Sequence, residues 1–160
     1  MLTHPFNKKL SELTQSRKNN LCIGLDPDLN KLPDFIERTP EGVELFLKSI
    51  IDRTQDLCVA YKPNISFFEG LGIEGLIMLK KIINYIDEVP VILDAKRGDI
   101  GNTSKQQARF IFEELGADAT TLHPYMGDDS LEPFFEYKEK FNFVLGLTSN
   151  SGANRFEKQL

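Results

Sequence analysis

The sequence has little with which to hold a metal, bridge a disulfide or cross a membrane. Its 160 residues include two cysteines and two histidines. Cys22 and Cys58 each sit in an apolar, strand-like run, which reads as two buried free thiols rather than a disulfide. His4 and His123 stand too far off to complete metal-ligand spacing. No apolar run reaches the ~18 residues that a membrane span needs. The amino-terminal stretch MLTHPFNKKLSEL lacks a signal peptide's apolar block, so a cytoplasmic protein is expected. Positive charge is scarce as well: 19 Lys and Arg against 24 Asp and Glu give a formal charge of −5. That balance argues against a general nucleic-acid binder. Also missing are G-x-G-x-x-G and G-x-x-x-x-G-K-[ST], which weakens any reading as a nucleotide-binding open sheet.

What is present is an alternation of strand and helix patterns, without repeats or low-complexity tracts. Strands are expected over 19–28, 58–68, 89–96, 118–124 and 142–150. Helices are expected over 41–57, 73–87, 102–116 and 129–141. Thr39 and Pro40 suit an N-cap and first helical position, and Gly116 a helix stop. Such a succession implies an α/β fold with a parallel sheet, open or part of a (β/α)8 barrel. Polar residues collect at the carboxyl end of strand after strand: Asp26, Lys62, Asn64, Asp94, Lys96 and Ser149. Side chains alternate faces along a strand, so Asp94 and Lys96 share one side, as do Lys62 and Asn64. In a barrel that side is the interior, and the carboxyl end is where barrel active sites form. Charges of opposite sign can be buried there because they pair with each other. Arg97, out of step with that parity, is expected to face solvent or an interface.

The stretch LDAKRGDIGNT (93–103) resembles the D-x-K-x-x-D-I-G-x-T signature of the orotidine 5′-phosphate decarboxylase family. CIGLDPD, AYKPN, ADATTLHPYMGDDSLEPF and LGLTSNSGA resemble the same family in the right order, especially its bacterial-type branch. The resemblance implies a TIM barrel of which residues 1–160 are a single domain carrying about the first five of eight βα units. It also implies a homodimer that converts orotidine 5′-phosphate to UMP and CO2, the last step of UMP biosynthesis, with no cofactor and no metal. By resemblance Lys96 is the proton donor, Asp94 faces the substrate carboxylate, and Lys62 and Asp99 complete the charged row. Asp26 and Asn64 match ribose contacts, and Ser149 matches the hydroxyl that reads the pyrimidine edge, with Thr148 as the alternative. Asp99, Ile100 and Thr103 match residues that act in the partner subunit's site.

Two other readings stand beside this one. A metal-dependent sugar-phosphate decarboxylase or aldolase shares D-x-K-x-x-D, but carries an acidic residue where this chain has Lys62. A non-catalytic barrel fragment, retained for dimerisation, is the other. A complete barrel takes ~250 residues, and the family's phosphate-gripping Gln and Arg follow later strands. Arg155 and Gln159 do not match them, so the 160-residue chain alone is expected to turn over slowly.

Overall fold

A computed structural model describes residues 4–155, 157 and 158 of the chain. Five short parallel strands lie in chain order: β1 (Cys22–Gly24), β2 (Ala60–Lys62), β3 (Ile92–Arg97), β4 (Ala119–Leu122) and β5 (Phe141–Val144). β1 pairs with β2, and β3 with β4 and β4 with β5, all parallel. Bridges at Tyr61↔Val91 and Asn64↔Asp94 join β2 to β3. The order 1-2-3-4-5, with helices between the strands, is that of successive units of a (β/α)8 barrel.

The helices form where the sequence supplies caps and periodicity. In α2 (Pro40–Thr54) the Thr39 hydroxyl accepts from Gly42 N at 3.2 Å, and Val43, Leu47 and Ile51 bury one stripe. α4 (Gly72–Tyr85) buries Met78, Leu79, Ile82 and Ile83. It crosses close to α3 (Ile65–Glu69) at Gly75, where an added Cβ would stand 2.1 Å from Phe68 O. α5 (Asn102–Arg109) continues as a π-helical turn, Phe110–Glu114, and Gly116 ends it at φ +79°. These helices pack their apolar stripes on the outer face of the sheet, against Tyr61 and Leu93, in one continuous core.

The expected elements need correction at several points, and the fifth strand, expected over 142–150, ends at Val144. The run Ile65–Phe68 belongs to α3 rather than to the second strand, because the Asn64 side chain caps Ser66 N at 3.1 Å and starts a helical turn. The helix over 129–141 shrinks to a 3-10 turn, Asp128–Ser130, and the short α6 (Glu132–Phe135). A helix absent from the pattern reading, α1 (Pro5–Arg17), precedes β1. Its Phe6 packs on Ala60, Ile92 and Ala119, with Phe141 beside them, and so plugs the amino ends of β2 to β5. Finally, Cys58 is buried but Cys22 is exposed, and both thiols are free. No described helix is long and apolar enough to cross a membrane.

Candidate active site

β3 carries the charged row, and its geometry is irregular where the charges begin. Leu93 pairs with Thr120 and Arg97 with Leu122, so β3 takes four steps where β4 takes two. Within that bulge Lys96 has φ +46°, a left-handed conformation that costs a non-glycine residue about 1–2 kcal/mol. Such strain persists only where the surroundings enforce it, and it concentrates at functional sites. Here the enforcement is visible. The backbone N–H groups of Ala95 and Lys96 lack ladder partners, and Thr121 Oγ1 on β4 accepts from both at 3.0 Å.

The bulge turns Lys96 onto Asp94. Lys96 Nζ lies 2.6 Å from Asp94 Oδ1, and Lys62 Nζ, from the end of β2, lies 3.1 Å from Asp94 Oδ2. Thr121 Oγ1 donates a further bond to Asp94 Oδ1 at 2.8 Å. The Asp94 side chain is 12% exposed, against 37% for Lys62 and 51% for Lys96. Burial disfavours the Asp94 carboxylate, yet hydrogen bonds from Lys96, Thr121 and Lys62 outweigh it. Together they hold the carboxyl below the ordinary Asp value. The result is a largely shielded anion gripped by two ammonium groups that are themselves partly exposed.

Asp26 and Asn64 stand at the carboxyl ends of the neighbouring strands and touch each other: Asn64 N donates to Asp26 Oδ1 at 3.0 Å. The Asn64 side-chain oxygen is taken by the α3 cap. Asp99 departs from the expected row. Its Oδ1 accepts from Ile100 N at 2.6 Å, within its own loop. Among the described residues no ion pair joins it to Lys96. Its backbone N–H donates to the buried Ser104 hydroxyl at 3.3 Å, which itself donates to Ser130 O at 2.6 Å. Ile100 and Thr103 are exposed on the same loop and the first turn of α5. Gly101, at φ +50°, offers that helix no side-chain cap.

Ser149 is exposed beyond β5. Its neighbour Thr148 is engaged, with its hydroxyl 2.8 Å from Glu157 Oε1. Arg97 pairs with Glu69 of α3 and is half-buried rather than facing solvent. His123 lies against Gly98, where an added Cβ would meet His123 O at 2.6 Å. Arg155 is exposed, and Gln159 lies outside the described residues. No three His, Cys, Asp or Glu side chains converge as a metal-ligand set among the described residues. Thr121 escaped the pattern reading; its signal was a polar residue on an apolar strand at the inward parity.

Comparison with known proteins bears on the same elements. The family described as orotidine 5′-phosphate decarboxylase / HUMPS matches residues 19–160. An orotidine 5′-phosphate decarboxylase of Bacteroides fragilis is 48% identical over 157 residues, covering 95% of this chain and 57% of its own length. One from Flavobacterium johnsoniae is 49% identical over 154 residues, covering 94% and 56%. The solved structure of Leishmania donovani UMP synthase superposes with a TM-score of 0.85 at 41% identity, covering 96% of this chain and 32% of that one. The chain thus spans a little over half the length of the curated relatives it matches.

Proposed function

This chain belongs to the orotidine 5′-phosphate decarboxylase / HUMPS family, and from that premise we propose that the whole protein converts orotidine 5′-phosphate to UMP and CO2 without a cofactor. The observation that carries the proposal is the grip of Lys62 and Lys96 on the half-buried Asp94 at the carboxyl ends of parallel strands. Loss of CO2 leaves a carbanion at C6 of the pyrimidine. The Lys96 ammonium, held against that carbon, stabilises the charge as it develops and then transfers its proton there. Asp94 faces the departing carboxylate and holds the Lys96 ammonium in an ion pair at 2.6 Å. Lys62 neutralises the second Asp94 oxygen.

Around this centre, Asp26 and Asn64 hold the ribose. Ser149 reads the pyrimidine edge; Thr148, whose hydroxyl is tied to Glu157, is less free to do so. In the proposed homodimer Asp99, Ile100 and Thr103 serve the partner's site, which agrees with an Asp99 carboxylate that bonds Ile100 N and makes no ion pair with Lys96 among the described residues. Residues 1–160 make up one domain, the amino-terminal part of a cytoplasmic enzyme's barrel. The competing metal-dependent sugar-phosphate reading puts an acidic residue where β2 of this chain ends in Lys62. Measuring UMP formation by the whole protein with and without EDTA separates the two. The proposal predicts equal rates, and strong inhibition by the chelator would overturn it.

A further inference from the structure

The bulge in β3 strips two backbone N–H groups of strand partners, and a single hydroxyl on the next strand receives both. Thr121 Oγ1 accepts from Ala95 N and Lys96 N and gives its own proton to Asp94 Oδ1. A threonine hydroxyl has one proton to donate and two lone pairs, so every hydrogen-bonding position of this one is spent on the charged turn. The adjacent Thr120 supplies an internal comparison. Its hydroxyl, on the outer face of the same strand, donates only to Leu93 O at 3.0 Å. Thr120 ties strand to strand, whereas Thr121 ties a strand to the shape and charge of its neighbour.

We propose that Thr121 is the positioning residue of this site: its hydroxyl holds β3 in the left-handed bulge that turns the Lys96 ammonium onto Asp94, and fixes the Asp94 carboxylate between Lys96 and Lys62. No other side chain hydrogen-bonds these two backbone N–H groups among the described residues. Without the hydroxyl, Lys96 is free to relax to an ordinary extended conformation. The proton it carries then leaves the place where a reacting carbon would sit, and a misplacement of about 1 Å is enough to cost a large factor in rate. Thr121 touches no reacting atom in this account and acts through Lys96 and Asp94. The kinetic consequence rests on the decarboxylase reading above; the geometric one does not.

The test compares Thr121→Val, Thr121→Ser and, as a control, Thr120→Val in the whole protein, by steady-state kinetics and crystal structures. Thr121→Val should lower kcat roughly 10- to 100-fold, the range expected for losing one hydrogen bond to a charged group. KM should change less than about threefold. Thr121→Ser, which keeps the hydroxyl, should stay within about threefold of wild type in kcat, and Thr120→Val should change stability without that loss of kcat. In the Thr121→Val structure, Lys96 should leave its positive φ or Nζ should move off Asp94. Should Thr121→Val fail to fold, Thr121→Ala carries the same expectations. If Thr121→Ser loses as much kcat as Thr121→Val, or if the hydroxyl-free variant keeps both kcat and the Lys96 conformation, the inference is wrong. Should wild type make no UMP, the decarboxylase reading fails, and the structure of the variant still decides the positioning role.

Discussion

Asp94 is the residue on which the site's electrostatics turn, and its charge has a measurable signature. Its carboxyl is held below the ordinary value in the folded protein, so between the folded and unfolded values the folded state binds fewer protons. The stability this contributes is complete above the unfolded pKa of about 4 and disappears as pH falls through the folded value. Chemical denaturation of wild type and Asp94→Asn from pH 7 to pH 3 should therefore show a stability gap that narrows with acid. A gap of constant size would mean that Asp94 gains nothing from being ionised. At this scale the sequence was partly legible. That Asp94, Lys96 and Lys62 come together was anticipated from strand alternation, although a bulge at Lys96 rather than regular alternation brings the Asp94–Lys96 pair together. The role of Thr121 was not, because threonine is a common strand former and the bulge that gives it two backbone donors cannot be read from spacing. Nor does spacing reveal that the loop folds Asp99 back on itself.

Among the elements, those with local signals were legible and those made by tertiary contact were not. Thr39 and Pro40 announce α2, and Gly116 closes the helix that ends in a π turn. The apolar run after β2 misled because ISFF is as good a strand as a helix by composition, and the Asn64 cap decides between them. α1 lacks a strong apolar stripe and buries only Phe6, so periodicity had nothing to detect. Its function in the fold is to close the sheet from below. Phe6 stacks on Phe141 at 5.0 Å and reaches Ala60, Ile92 and Ala119 at the strand starts. Truncating that plug leaves a cavity under the layer that bears the charges, so Phe6→Ala should cost the whole protein about 3–5 kcal/mol. Urea denaturation reads this directly, and a loss below about 1 kcal/mol would mean that α1 merely rests on the surface.

For the whole molecule, the five strands leave β1 and β5 each paired on one side only, and Phe143, Val144 and Leu147 are exposed at or near β5. A closed barrel covers such a flank. The proposed action of Asp99, Ile100 and Thr103 in a partner's site is a second matter at this scale, since among the described residues no ion pair joins Asp99 to Lys96 and its carboxylate accepts from Ile100 N instead. Subunit mixing tests this. Whole-protein Lys96→Ala and Asp99→Ala variants, each inactive alone, should regain part of the activity after exchange, because one site of the mixed dimer then holds both residues intact. No recovery, with exchange verified by mass, would assign Asp99 to its own chain.

The proposed chemistry depends on Lys96 as the proton donor; among the described residues the other ammonium at the site, Lys62, is bound to the opposite oxygen of Asp94. The most direct measurement is UMP formation from orotidine 5′-phosphate by the folded whole protein carrying Lys96→Ala. The account predicts activity reduced to a trace of wild type; a rate within about tenfold of wild type, one power of ten being only ~1.4 kcal/mol of barrier, would contradict it.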